Sequence, residues 1–441
     1  MKQSKEKMLR KVVASSIIGA TIEWYDFFLY GVMAGIVFDQ LFFPTKSELI
    51  STILAFGTFA AGFVARPLGG VIFGHFGDNL GRKKMLIISL LIMGISTTLV
   101  AFLPTYASIG IAAPIILTVL RIVQGIALGG EWGGAILMAY EHAPKSKKGF
   151  YASLPQIGLA IGLLLSSGVV GLLSLVLSNE QFLTIGWRIA FGLSAFLILL
   201  GFWIRLNVDE SPEFEELRRG NSHSRNPFKE MWKEHTPNIL AGMGARYIDG
   251  VFFNVMGVFS ITYLTETVGI SRDFALMAVS LASFVMCFSI PLFGYLSDRH
   301  GRAKTYLIGS ILTGISAIPS FWIMENSSSS IAILLAIAIP FGIIYASVYG
   351  PEAALFSELF EAKYRYTGIS FVYQFSGIFA AGITPIIATY LLSLSDGYPI
   401  YLVLYVVVVS MISAGSASWI RNQSKMNKKE SLPTTVNVEV E

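Results

Sequence analysis

Twelve apolar stretches, each close to the length of a membrane span, run through this chain and leave it few folds to choose from. They cover roughly 13–38, 52–75, 85–103, 112–140, 152–177, 187–206, 238–265, 273–296, 304–324, 331–353, 367–393 and 398–421. About 20 apolar residues, at ~1.5 Å rise each, cross ~30 Å of hydrocarbon. Inside lipid every backbone N–H and C=O must be bonded within its own segment, so stretches of this length form helices rather than barrel strands. Composition agrees: 54% of the 441 residues are hydrophobic and 14% are charged, against ~25% charged in a soluble domain. The expected fold is an all-α membrane protein of twelve transmembrane helices in two six-helix bundles, with the lipid bilayer as its surroundings. A net charge of +4 needs no nucleic acid to explain it. The single Cys287 cannot form an internal disulfide and falls in an apolar run, where a small buried hydrophobe is expected. The basic start (Lys2, Lys5, Lys7, Arg10, Lys11) resembles a signal peptide, but the apolar run continues past a signal's length and carries an acidic pair.

Basic residues collect in alternate loops. The N-terminus, Arg82-Lys83-Lys84, Lys145-Lys147-Lys148, Arg218-Arg219-Arg225, Arg299-Arg302-Lys304, Lys363-Arg365 and the tail with Lys425, Lys428 and Lys429 fall on one side, and the opposite loops hold little beyond Lys46 and Arg272. The positive-inside rule then puts both termini in the cytoplasm. The expected organisation is a first bundle at 1–206, a polar cytoplasmic linker at 207–237, a second bundle at 238–421 and a polar tail at 422–441, without fixed structure.

The two halves repeat each other. Gly74, Asp78, Gly81 and Arg82 recur as Gly294, Asp298, Gly301 and Arg302. Glu141 precedes the fifth segment and Glu358 the eleventh, and those segments open on matching stretches that contain Gln156 and Gln374. Such halves are parallel repeats about an axis along the membrane normal. Each charged turn ends a helix, so Arg82 can reach back to Asp78 or across to Glu141, and Arg302 has Asp298 and Glu358. These residues are candidates for a cytoplasmic gate that latches shut in one state; the plainer alternative is a topology anchor with no part in gating.

Charged residues inside the apolar runs are the candidate working parts, because a charge at that depth is expensive unless it serves a function. Glu23 and Asp26 are three apart and share a face of helix one. Helix four supplies Arg121 at similar depth, followed by Glu131. A carboxylate facing Arg121 stays ionised until Arg121 is drawn away, and then takes a proton. Asp26, Glu23, Arg121 and Glu131 are therefore the proton-coupling candidates, with Asp26 preferred as carrier; a permanent ion pair between helices one and four is the structural alternative. Candidate substrate-binding residues are Tyr30, Arg66 and Gln156 in the first half. In the second they are Arg246, Tyr247, Asp249, Asn254, Tyr345, Tyr349, Glu352, Tyr373 and Gln374. A free Arg246 suits a substrate carboxylate, since guanidinium binds carboxylate bidentately; equally, Arg246 and Asp249 can satisfy each other. The five histidines (His75, His142, His223, His235, His300) show no metal spacing, no cofactor motif stands out, and no phosphate loop encodes an ATP drive.

Several of these stretches resemble the metabolite:proton symporter family of the major facilitator superfamily. They are Glu23 to Gly31, Arg66-Pro67-Leu68-Gly69-Gly70, Gly74 to Lys84, Arg121-Ile122-Val123-Gln124-Gly125, Gly129 to Ala135, Gly186-Trp187-Arg188-Ile189 and Asp209 to Phe214. Ala113-Pro114-Ile115, Glu141 to Lys145 and Glu180 to Leu183 look most like its shikimate-type members. The resemblance implies a multi-pass inner-membrane protein importing a small organic acid such as shikimate with protons; a monomer is expected, and with no nucleophile–base or metal set in the sequence an enzyme is not. Symport of 2-oxoglutarate, citrate, proline or betaine is the near alternative. An exporter of the same fold, or a membrane sensor built on it, are the more distant ones.

Overall fold

The computed structural model describes residues 2–44, 48–211, 214–216 and 227–430. Lys46, Pro212, Glu213, Arg218, Arg219, His223, Arg225 and everything beyond Glu430 lie outside the described residues. Among the described residues, twelve helices are long and apolar enough to span a membrane. They are α1 (Met8–Met33), α2 (Gly57–Leu80), α3 (Arg82–Ala101), α4 (Ala112–His142), α5 (Lys145–Val176), α6 (Asn179–Leu206), α7 (Phe228–Thr265), α8 (Asp273–His300), α9 (Arg302–Asn326), α10 (Ser330–Ser357), α11 (Arg365–Ser393) and α12 (Ile400–Met426). They match the twelve expected stretches to within several residues at the ends. Their outer faces carry lipid-facing side chains such as Leu175, Trp203 and Trp322, all well exposed in the bare protein.

The packing repeats between the halves. In α1–α6, α1 lies along α5, α2 along α4 and α3 along α6; in α7–α12 the equivalent pairs are α7 with α11, α8 with α10 and α9 with α12. The bundles meet where α2 packs on α11 and where α8 and α10 pack on α5. The α2–α4 contact needs glycine: a side chain at Gly129 would run into the backbone of Arg66 and Gly70. The two charged turns need it for another reason. Gly81 has φ +114° and Gly301 φ +95°, a region that side chains disfavour, and each lets the chain reverse between two spans.

The helices depart from regularity at several points. Single π-helical turns occur at Ala34–Phe38, Val255–Phe259, Pro340–Ile344 and Ile378–Gly382, and Pro67 lies within α2 directly after Arg66. Such turns free backbone groups and redirect side chains, and they gather at functional sites. At the far end the chain differs from expectation. The last helix continues to Glu430, past residue 421, because no Gly or Pro interrupts residues 416–430 and lysines suit a helix C-terminus.

Candidate functional site

In the first bundle, the sequence places two carboxylates and two guanidiniums in the interior but does not show their partners. Glu23, Asp26, Arg66 and Arg121 are all buried. Asp26 accepts a hydrogen bond from Ser194 Oγ of α6 at 2.5 Å, and its other carboxylate oxygen has no hydrogen-bond partner. Arg121 is held differently. Its guanidinium lies over the rings of Tyr30 (4.2 Å) and Phe59 (5.0 Å). It donates to Gln124 Oε1 at 3.3 Å, and Gln124 in turn donates to Thr97 Oγ1 at 2.7 Å. Among the described residues, neither Glu23 nor Asp26 forms an ion pair with Arg121. Of the two acids, Asp26 is the one within electrostatic reach of Arg121, without a direct ion pair: Ser194 of α6 holds Asp26, and an aromatic box with a glutamine holds Arg121. Tyr30 is likewise occupied, its hydroxyl 2.7 Å from Thr58 Oγ1.

Arg66 sits between Phe27 (4.7 Å) and Phe63 (4.6 Å), and its Nη2 has no hydrogen-bond partner. Glu23 of α1 and Arg246 and Tyr373 of the second bundle are its charged and polar surroundings. Glu131 is placed elsewhere. It forms a direct ion pair with Arg205 of α6 and accepts from Ser89 Oγ at 2.6 Å, while Arg205 also donates to the Leu86 carbonyl at 2.5 Å. Glu131 therefore belongs to a closed α3–α4–α6 tie and not to the Arg121 neighbourhood. Sequence reading missed Arg205 and Ser194. A cation inside the sixth apolar run was a signal for the first; nothing marked the second.

In the second bundle, Arg246 is not free. It pairs directly with Asp249, lies 3.5 Å from Glu352 Oε1 and has its guanidinium 4.0 Å from the Tyr373 ring centre. Tyr345 donates to Asp249. Tyr373 stacks on Trp132 of the opposite bundle at 3.6 Å, and Tyr345 stacks on Tyr349 at 5.5 Å. Two expected members are turned away. Tyr247 Oη is 3.4 Å from Tyr405 Oη of α12, and Asn254 donates to Gly250 of its own helix at 2.8 Å. The paired glutamines cross the seam in both directions. Gln156 of α5 donates to the Tyr349 carbonyl of α10 at 2.5 Å. Gln374 of α11 donates to the Gly129 and Leu128 carbonyls of α4 at 3.2 and 3.3 Å.

The two charged turns also cross the seam. Asp78 accepts from the Tyr366 and Thr367 amides at 3.2 and 2.9 Å and from the Thr367 hydroxyl at 2.9 Å. It thus caps the start of α11, where the unpaired amides of a helix terminus need acceptors. Asp298 does the same for α5, accepting from the Gly149 and Phe150 amides at 2.8 and 2.9 Å. Gly74 and Gly294 lie where these contacts are made, against Thr367 and Ser153. Arg82 reaches Glu141 at 3.0 Å and Asp78 at 3.8 Å, so both partners open to it in the sequence are present. Arg365 of the second bundle joins Glu141 at 3.2 Å. The second copy holds Arg302 on Asp298 at 3.0 Å and directly on Glu358. Linker residues enter as well: Glu210 accepts from the Arg82 and Lys83 amides at 3.1 and 3.2 Å, and Ser211 donates to Glu141. On this face the bundles are tied shut.

The arrangement is thus a charged interior between two bundles, sealed on the face that carries the basic turns. Comparison with known proteins agrees with that form. Residues 12–239 match the sugar (and other) transporter family and residues 245–436 match the major facilitator superfamily. The chain is 39% identical to the shikimate transporter of Escherichia coli over 94% of this chain and 95% of that one. It is 38% identical to the Escherichia coli inner membrane metabolite transport protein YhjE over 86% and 87%. The proline/betaine transporter of Salmonella typhimurium is 32% identical over 92% and 82%. Among solved structures, the proton:xylose symporter XylE bound to 6-bromo-6-deoxy-D-glucose superposes with a TM-score of 0.77 over 95% of this chain and 96% of that one, at 17% identity. The chain therefore belongs to the sugar (and other) transporter family and, with it, to the major facilitator superfamily of membrane transporters.

Proposed function

We propose that this protein is a proton-coupled symporter that brings a small organic acid of the shikimate type across the inner membrane by alternating access. The observation that carries the reading is Arg66, a buried guanidinium between two aromatic rings, with Nη2 unpartnered. A cation kept out of water without a carboxylate of its own is a receptor for an anionic ligand. The 39% identity to a shikimate transporter supports a cyclic hydroxy acid. Arg246, already paired, shapes the far wall of the site.

Asp26 is the proton carrier. Its free oxygen can take a proton without breaking an ion pair, and Ser194 can turn its hydroxyl to follow. Both termini are cytoplasmic, following the basic loops, so the tied face is the cytoplasmic gate. The units that rock are residues 1–206 and 238–421, joined by the linker at 207–237, and one monomer is the working unit. Substrate and proton enter from outside, the bundles rock, the Asp78 and Asp298 ties part, and both leave inside.

The test is uptake into proteoliposomes under an inward proton gradient. Labelled shikimate accumulates, a protonophore abolishes the accumulation, and Asp26→Asn lowers it while exchange of labelled for unlabelled shikimate persists. Accumulation indifferent to the protonophore would sink proton coupling. Gradient-driven uptake of 2-oxoglutarate or proline in place of shikimate would move the substrate.

A further inference from the structure

The charge in the membrane interior does not balance. Within its described membrane spans and away from the gate, the first bundle buries Glu23, Asp26 and Glu131 with Arg66, Arg121 and Arg205, three acids to three bases. Among the described residues, the second bundle buries Asp249 and Glu352 with Arg246 alone. Asp249 is 2% exposed and Glu352 0%, so water cannot compensate the extra negative charge, and a dry interior expels an unpaired carboxylate. The other groups facing this cluster are Tyr306 of α9, Tyr345 and Tyr349 of α10, Tyr373 of α11 and, from the first bundle, Arg66. The tyrosines are neutral, and among the described residues Arg66 forms no ion pair with either acid of the cluster.

The hydrogen bonds around the two acids differ. Tyr306 Oη lies 2.8 Å from the Ala245 carbonyl and 3.3 Å from Glu352 Oε2. A hydroxyl has one proton to give, and the carbonyl, the closer acceptor with no proton of its own, takes it. The Tyr306 and Glu352 oxygens then face each other and need a proton between them, which only the carboxyl can supply. Asp249, by contrast, takes both the Arg246 guanidinium and the Tyr345 hydroxyl, a setting for an ionised acid.

We infer that Glu352 carries a proton while the gate is tied, which makes the Asp249–Arg246–Glu352 cluster a second proton-binding site, in the bundle that lacks Asp26. The filling and emptying of the site rest on the transport cycle proposed above. A substrate carboxylate arriving at Arg66 adds negative charge near the cluster and favours its proton. Tyr349 and Gly350, just before Glu352 on α10, hold Gln156 of the opposite bundle at 2.5 and 3.5 Å. When that contact opens, water reaches α10; the Glu352 Oε2–H bond breaks, the proton leaves to water, and Tyr306 keeps its bond to Ala245.

Infrared difference spectroscopy of the full-length protein in lipid at neutral pH, in an Asp26→Asn background, locates the proton. Expected is a carboxylic-acid C=O band that Glu352→Gln removes. Asp249→Asn removes it too, because Glu352 then ionises as the one partner of Arg246. Tyr306→Phe shifts the band by removing its acceptor, and this keeps the test open if Glu352→Gln fails to fold. A spectrum unchanged by Glu352→Gln, or a band indifferent to Tyr306→Phe, would overturn the assignment. Cycling is read from shikimate accumulation with the membrane potential clamped at zero: Glu352→Gln lowers the limiting ratio about tenfold per pH unit of gradient, the weight of one proton, and an unchanged ratio refutes a cycling site. Absence of shikimate uptake by the unaltered protein would count against the proposed transport alone, with the band still deciding where the proton sits.

Discussion

Glu131 and Arg205 show what a buried pair demands of its neighbours. The two are in direct contact at 1% and 4% side-chain exposure, with Ser89 and the Leu86 carbonyl taking the remaining bonds. Removing one partner leaves an uncompensated buried charge, at a cost of ~3–5 kcal/mol, whereas replacing both by apolar groups is often close to neutral. Arg205→Met is therefore expected to lower the unfolding temperature in detergent sharply, and Glu131→Leu/Arg205→Met to recover most of the loss; a double variant no better than the single would show that the pair is not the unit. Gly19 is tied to the same pair, since a side chain there would collide with the Arg205 guanidinium. Charged residues in apolar runs are legible in a sequence because they break the hydropathy pattern, so Glu23, Asp26, Arg66, Arg121 and Glu131 stand out. Their partners are not legible. Ser194 bonds Asp26 across 168 residues and Arg205 bonds Glu131 across 74, and no periodicity within one helix encodes a neighbour on another.

The charged turns were legible as a repeat because spacing within one turn is local. Their target was not, since Asp78 serves amides 288 and 289 residues away. Geometry ranks the partners of Asp78. Three hydrogen bonds at 2.9–3.2 Å outweigh an Arg82 contact at 3.8 Å, which is too long for a direct hydrogen bond. The aspartate is thus a helix cap lent to the opposite bundle, and Arg82 chiefly serves Glu141 at 3.0 Å. Asp78→Asn removes the charge from these bonds. Hydrogen bonds to a charged group contribute ~1.5–3 kcal/mol against ~1 for neutral ones, so the sealed state should lose roughly tenfold in population, at about 1.4 kcal/mol per factor of ten. Spin labels at the exposed Lys84 and Lys304 positions read this directly, as growth of a longer-distance population in Asp78→Asn. Asp298→Asn is expected to act in the same direction by a smaller amount. Its cluster is the wetter of the two, with Glu358 41% exposed against 0% for Glu141, and solvent screens what it holds. A larger effect at Asp298 would reverse this ranking.

The two bundles share one packing scheme, yet their interiors differ in charge. That difference has a consequence for coupling that no single site supplies. The first bundle holds an acid, Asp26, bonded to a hydroxyl and in no ion pair with arginine; the second, among the described residues, buries one acid more than Arg246 can answer. If each bundle carries one proton per cycle, two protons drive each substrate, and the limiting accumulation ratio at zero potential grows by about two factors of ten per pH unit of gradient. Asp26→Asn and Glu352→Gln should each leave one factor. Each replaces an acid by its neutral amide, so neither introduces an unpaired buried charge, and the bundles can still rock. The double variant is expected to become a passive carrier: labelled shikimate equilibrates across the membrane with undiminished exchange, and no gradient makes it accumulate. Because the sites lie in different bundles and on different hydrogen-bond chains, their contributions to the exponent should add. Residual accumulation in the double variant would require a third titrating group, and Glu23, buried beside Arg66 without an ion pair among the described residues, is where Glu23→Gln would then be made and the exponent measured again.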